Sequence, residues 1–203
     1  METLNTNLFL LLNAPAAADA STVLVAICAA QGLVYLGGAL AAGLWIWGTP
    51  AKRGTLLSTG VGLLAASAIS LLITLLWYHP RPFVVGIGRS LMAHSPETSF
   101  PSDHATFLWT LGLAFAVTGA WRAWGWLLIA MGVATAWARI CLGVHFPLDM
   151  AGSFAVAAVS AAIVGAIHPL VERRLLPPLD RFYESVLGTL RLPLRVFPRR
   201  TSD

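Results

Sequence analysis

Five nearly unbroken apolar stretches punctuate the chain: Val23 to Trp47, Leu56 to Tyr78, Ala105 to Ala120, Gly125 to Gly143, and Leu148 to Ile167. A helix needs about 20 apolar residues to cross a bilayer, so each stretch predicts a membrane span. The third is slightly short unless it continues to Trp121. Residues 1–20 hold a brief run, Leu8 to Leu12, with no basic segment ahead of it. That pattern predicts a helix lying in the membrane interface rather than a cleaved signal peptide. The predicted fold is all-α: a polytopic membrane helix bundle of about five spans, an N-terminal interfacial helix and a basic C-terminal tail.

Composition sharpens this picture. Of the 203 residues, 57% are hydrophobic and only 11% charged, against about 25% charged in soluble domains. A disordered chain, a coiled coil and an ordinary soluble enzyme are excluded. The net charge of +4 is better set against the positive-inside rule than read as a nucleic-acid footprint. Lys52 and Arg53 lie between the first two spans, and Arg122 between the third and fourth. Arg173, Arg174, Arg181, Arg191, Arg195, Arg199 and Arg200 follow the fifth. If these segments are inside, the chain starts outside, crosses five times and ends inside. Trp45, Trp47, Trp121, Trp124 and Trp126 then mark the inner interface, and Trp77, Tyr78 and Trp137 the outer one. Residues 1–168 read as the membrane-embedded domain. Residues 169–203 read as a basic tail on anionic headgroups, with Leu179 to Leu190 as a surface helix. Cys28 and Cys141 sit in apolar runs and suggest no disulfide. No internal repeat points to an inverted-repeat transporter.

The unusual polar residues collect at the four helix ends assigned outside. WYHPRPF (77–83) leaves the second span, SFPSDHATF (99–107) enters the third, and WARICLGVHFPLDMAGS (137–153) links the fourth to the fifth. Polar groups at membrane depth are costly, so their convergence on one face points to function. Arg81 and Arg139 offer guanidinium forks for phosphate oxygens. Ser102 precedes an apolar helix as an N-cap, where the free N–H groups of Asp103 and His104 make an anion site. Asp149 lies four residues after His145, and Pro147 between them marks a first helical turn. There the carboxylate can fix one imidazole nitrogen and leave the other free to attack. The set describes phosphoryl transfer through a phosphohistidine, with His145 as nucleophile and His104 as the acid on the leaving oxygen. A His-x3-Asp pair also suits a metal, but a third ligand is missing and two arginines would repel the ion, so no metal and no cofactor are expected. His94, Glu97 and Thr98 lie in the outer loop within reach of the same phosphate or as plain loop residues. His168 falls at the opposite end and reads as structural.

Arg81-Pro82, then Pro101-Ser102-Asp103-His104, then Arg139-x5-His145-x3-Asp149 resemble the three signature motifs of the type-2 phosphatidic acid phosphatase superfamily, which also holds bacterial acid phosphatases and vanadium haloperoxidases. Within it, residues 79–104 and 143–153 are similar to the undecaprenyl-diphosphatase branch linked to bacitracin resistance. The resemblance implies metal-independent removal of the terminal phosphate of undecaprenyl diphosphate. It implies a site on the outer face of the bacterial inner membrane, and as product the monophosphate carrier lipid for peptidoglycan. Its partners are then the polyprenyl diphosphate and membrane lipids, with no nucleic acid. Three positions depart from the family pattern: Thr74 stands where the first motif has lysine, Asp103 where the second has glycine, and Ala138 where the third has serine. Arg89 or His79 is the expected replacement for the lysine contact, and Asp103 can hold an arginine or His104 in place. Alternatives remain open. They are phosphatidylglycerophosphate, phosphatidic acid or lipid A as substrate, phosphotransfer to another lipid, and a non-catalytic lipid-binding or transport protein. The nearly charge-free span interiors count against the last, and the membrane setting disfavours haloperoxidase chemistry.

Overall fold

A computed structural model of the protein describes residues 2–190. The tail arginines Arg191, Arg195, Arg199 and Arg200 lie outside the described residues, as does the end of the expected basic tail. Every regular element among the described residues is a helix.

Local signals account for the boundaries. Asp19 caps α2 (Ala20–Ile27) by accepting the Thr22 N–H at 2.6 Å, which starts the first span ahead of Val23. Wider, π-type turns at Cys28–Gly32 join α2 to α3 (Leu33–Trp47), giving one rod over Ala20–Trp47. Then α4 (Pro50–Leu76) begins with proline at its first turn, where no N–H is needed. It therefore starts six residues before the expected Leu56 and takes up Lys52 and Arg53. It stops as the chain approaches His79-Pro80, because the residue before a proline avoids the helical region. Next, α5 (Asp103–Thr118) ends on Gly119 at φ +75°. It is followed by α6 (Arg122–Cys141) and α7 (Pro147–Leu170). A helix covers most of the expected Leu179 to Leu190 segment as α8 (Leu176–Thr189), reached from α7 through a wider turn at Val171–Leu175. It opens at Leu176 rather than Leu179 because Pro177 and Pro178 fit its first turn.

Among the described residues four helical stretches are long and apolar enough to cross a membrane: Ala20–Trp47, Lys52–Leu76, Arg122–Cys141 and Pro147–Thr189. Leu64, Leu72, Val133 and Val159 are exposed on their outer faces, an arrangement suited to lipid. The chain is a membrane protein. Shorter than these, α5 has 16 residues, about 24 Å at 1.5 Å per residue. It runs through the middle of the bundle, packed against α4, α6 and α7, and from Ala105 to Phe115 all but the half-buried Phe107 and Leu113 are buried. Its crossing with α6 is close: a Cβ on Gly112 would stand 2.8 Å from the Gly125 carbonyl oxygen, and one on Gly125 equally close to that of Gly112. Small residues at such crossings let backbones approach where lipid removes the hydrophobic drive.

Helices α4 to α7 alternate in direction. One end of the bundle therefore gathers the end of α4, the start of α5, the end of α6 and the start of α7. Across it lies α1 (Glu2–Leu12), the expected interfacial helix, with Leu4, Leu8 and Leu11 exposed. Asn5 accepts the Leu148 N–H at 3.0 Å, Phe9 packs edge-on to Phe146 with centroids 5.2 Å apart, and Asn13 donates to the Cys141 carbonyl at 3.0 Å.

Candidate active site

The loop between α4 and α5 crosses that same end and brings Arg81 inward. Its guanidinium, 6% exposed, donates to the carbonyls of Glu97 (3.1 Å), Thr98 (3.1 Å) and Val144 (3.0 Å). It also reaches the Nε2 of His145 at 3.1 Å. A guanidinium can only donate, so that nitrogen carries the lone pair and the imidazole proton sits on Nδ1. On that side Asp149 Oδ2 lies 3.3 Å away. Burial, with Arg139 and Arg81 alongside and against the pull of Asp149, holds the His145 pKa far below its ordinary value. The imidazole is neutral and points a lone pair at the arginines.

Asp149 sits in the first turn of α7, fully buried. It accepts the Phe146 N–H at 2.7 Å and a short hydrogen bond from the Ser99 hydroxyl, whose oxygen is 3.3 Å from His145 Nδ1. Its second oxygen is 3.2 Å from His79 Nδ1. The carboxylate raises the His79 pKa. The sharp turn into this segment depends on Gly143 at φ +80°, whose absent side chain leaves room for the Arg89 carbonyl.

Arg139, in the last turn of α6, is 2% exposed. Its Nη2 lies 2.9 Å from His94 Nε2, and its buried Nε has no partner. Among the described residues neither Arg81 nor Arg139 has a carboxylate at ion-pair distance, whereas Arg53 at the other end does. Burial lowers the Arg81 pKa, yet a guanidinium starts so high that it stays charged. Two dehydrated cations with no carboxylate at ion-pair distance are costly alone and suited to an anion that arrives from outside.

These groups open into a cavity of about 1200 Å³ that also reaches Asp103, His104 and Thr74. From Thr74 it follows α4 down to Gly60, about 21 Å at 1.5 Å per residue, past Leu63, Leu64, Leu71 and Phe107. A polar mouth thus continues as an apolar groove at membrane depth.

Arg81, Asp103, His104, Arg139 and His145, expected at the site from sequence, all reach this cavity, with Asp149 directly behind His145. Ser102 occupies the N-cap position of α5 but makes no side-chain cap. Its buried hydroxyl has no partner, while its N–H donates to Ser153 at 2.8 Å. The two expected replacements for the first-motif lysine, Arg89 and His79, do not line the cavity. Arg89 Nη1 donates to the Pro15 carbonyl at 2.5 Å, because the turns at Gly86 and Gly88 (both positive φ) carry the chain toward α1. His79 turns to Asp149 instead of the cavity. Thr74 lines the cavity, but its hydroxyl donates back to the Leu71 carbonyl at 2.8 Å. His168 lies at the far end on Ser58 (3.0 Å) and Glu172 (3.5 Å). Sequence reasoning did not single out Ser99 and Ser153. Both are buried hydroxyls within the polar segments, which was the available signal. Among the described residues no three His, Cys, Asp or Glu side chains converge as a metal-holding group.

Comparison with known proteins agrees with this geometry. The PAP2 superfamily model matches residues 55–173. YbjG of Escherichia coli (strain K12), named provisionally as an undecaprenyl-diphosphatase, is 34% identical over 197 residues, covering 96% of each chain. The undecaprenyl-diphosphatase BcrC of Bacillus subtilis (strain 168) is 35% identical over 150 residues, 72% of this chain and 75% of that one. The crystal structure of Aquifex aeolicus LpxE superposes with a TM-score of 0.64 at 21% identity, covering 79% of this chain and 94% of that one, a likeness of fold.

Proposed function

The chain belongs to the PAP2 superfamily, and from that premise we propose that it is an integral-membrane phosphatase that hydrolyses undecaprenyl diphosphate to undecaprenyl phosphate. The observation that carries the reading is the pair of buried guanidiniums with no carboxylate partner, set against a neutral His145 backed by Asp149. The names of YbjG and BcrC support the diphosphate. The apolar groove along α4 supports a long hydrocarbon tail.

The terminal phosphate enters between Arg81, Arg139 and the N-terminus of α5, whose first N–H groups have no intrahelical acceptor. Arg81 shifts its Nη1 from His145 to a phosphate oxygen and frees the Nε2 lone pair. Nε2 attacks phosphorus, forming the P–N bond as the bond to the bridging oxygen breaks. His104, which takes up a proton from solvent as the bound anion offsets the arginines beside it, donates that proton to the bridging oxygen, and the lipid monophosphate leaves. Asp149 stabilises the imidazolium that results, through Nδ1–H. Water then attacks the phosphohistidine and gives its proton to His104. Orthophosphate departs and His145 is neutral again. The guanidiniums stabilise the charge on the transferring oxygens throughout. By the positive-inside rule this end of the bundle faces the outside of the bacterial inner membrane.

The test is phosphate release from undecaprenyl diphosphate, farnesyl diphosphate and phosphatidic acid by the detergent-purified protein. Turnover of the diphosphates with loss in His145→Ala is expected. No turnover of any of them by folded protein would sink the reading.

A further inference from the structure

His94 stands on the loop between α4 and α5, half-buried at the wall of the cavity. Its Nε2 is 2.9 Å from Arg139 Nη2, and its Nδ1 is 3.3 Å from the Ser95 carbonyl. Its ring lies edge-on to His145 with centroids 6.3 Å apart. Arg139 can only donate, so Nε2 is the acceptor and the proton sits on Nδ1, facing Ser95. A neutral imidazole therefore occupies the place on Arg139 that a phosphate oxygen would take. A charged oxygen is the stronger acceptor by about twofold and displaces it. The freed Nε2 lone pair then faces phosphate oxygens, acceptor against acceptor, and only a proton on Nε2 turns that repulsion into a hydrogen bond.

Charge points the same way. Arg81 and Arg139 do not neutralise a diphosphate between them, and Thr74 adds nothing, its hydroxyl being spent on Leu71. Resting on the diphosphatase reading above, we propose that His94 is a substrate ligand that takes up a proton of its own from solvent as the diphosphate binds, adding a cation to Arg81, Arg139 and the acid His104. The charged and titratable groups that face it are Arg139 from α6, Arg81 and Glu97 from its own loop, His104 from α5 and His145 ahead of α7. Burial and the two guanidiniums lower its pKa, with the Ser95 carbonyl and Glu97 opposing. An incoming anion reverses that balance.

The experiment measures KM for farnesyl diphosphate against pH. It also measures proton uptake on binding farnesyl methylenediphosphonate, by calorimetry in two buffers of different ionisation enthalpy. Both are done on wild type, His94→Gln and His94→Lys. Loss of one hydrogen bond to a charged group predicts that His94→Gln raises KM roughly 10- to 100-fold while changing kcat less. It should also take up fewer protons than wild type at neutral pH. His94→Lys, already charged, should hold KM within severalfold of wild type without that extra proton. Unchanged KM and proton count in His94→Gln overturns the proposal. So does a raised KM with unchanged proton count, because His94 would then only shape the loop. Absence of turnover by wild type would instead overturn the phosphatase reading itself.

Discussion

Arg81 and His145 meet at 3.1 Å, guanidinium nitrogen to Nε2, and this contact decides where the imidazole proton sits. With Nε2 held as acceptor, Nδ1 carries the hydrogen and turns it toward Asp149. In the proposed mechanism the pair stores the nucleophile in its reactive tautomer, neutral and unable to react until a phosphate oxygen draws Arg81 away. Two residues 64 apart in sequence thus prepare the site before substrate arrives.

Asp149→Asn should remove the charge while keeping the shape. The Phe146 N–H, the Ser99 hydroxyl and His145 Nδ1 all meet Oδ2, so the amide oxygen should stay there and the amide nitrogen face His79, leaving the imidazolium that forms without its counter-charge. We expect kcat for phosphate release to fall roughly 1000-fold or more, as when a catalytic triad loses its carboxylate, with Tm lowered only by the lost charge opposite His79. Retention of a tenth of the activity would contradict the assigned role.

Ser99→Ala removes the hydroxyl that donates to Asp149 Oδ2 and stands beside His145 Nδ1. A hydrogen bond to a charged group contributes about 1.5–3 kcal/mol, so kcat should fall roughly 10- to 100-fold. KM should move little, since Ser99 does not line the cavity. Steady-state kinetics on farnesyl diphosphate separate the two.

How far the sequence discloses this site depends on the reach of each interaction. Arg139, His145 and Asp149 lie at the ends of two consecutive helices, and their spacing already puts them together. Ser99 with Asp149 spans 50 positions and Asn5 with Leu148 spans 143. Neither contact leaves a periodic trace, so only the folded chain displays them. The Ser102 cap failed for a related reason. A neighbouring helix supplies Ser153, which bonds both the N–H and, at 3.2 Å, the carbonyl of Ser102, and the hydroxyl is left over. Arg89 is near the site in sequence, but its direction depends on the positive φ of Gly86 and Gly88, which loop proximity does not display. The spans were legible because twenty apolar residues have few other readings, and their starts were not, because caps such as Asp19 and Pro50 act locally.

Gly143→Ala should disturb both fold and activity. The backbone there is left-handed, at φ +80°, which costs a residue with a Cβ about 1–2 kcal/mol. The added carbon would also overlap the Arg89 carbonyl. A lower Tm in detergent is expected, together with a fall in kcat, because His145 is only two residues on. An unchanged Tm would show that the loop holding Arg89 moves aside freely.

His79 predicts a pH dependence of stability. The unfolded imidazole titrates near about 6.5, and in the fold Asp149 raises that value, burial opposing, with Glu2 of α1 contributing a smaller pull. The charged pair is therefore fully stabilising below about pH 6.5, and its contribution is lost as pH rises through the folded pKa. The Tm advantage of wild type over His79→Gln should be largest near about pH 6 and shrink by about pH 9. A gap that is constant or widens with pH would refute the pairing.

At the opposite end, Arg53 and Asp180 form an ion pair at 3.2 Å with side chains 0% and 4% exposed. The guanidinium also donates to the Trp45 carbonyl at 3.2 Å and lies 4.3 Å over the Tyr183 ring. It fastens α8 beneath the start of α4, about as far from His145 as the bundle allows. Breaking a buried pair by removing one partner strands the other charge, at a cost of about 3–5 kcal/mol, whereas replacing both with apolar residues of similar size is often neutral. Arg53→Met should therefore lower Tm sharply, and Asp180→Leu likewise. The double variant should recover most of the loss, up to the contacts Arg53 makes with Trp45 and Tyr183. Below its melting temperature each variant should turn over farnesyl diphosphate at the wild-type kcat, because no catalytic group touches α8. A double variant no more stable than either single one would mean that the ring and carbonyl contacts of Arg53, rather than its charge pairing, hold α8 in place.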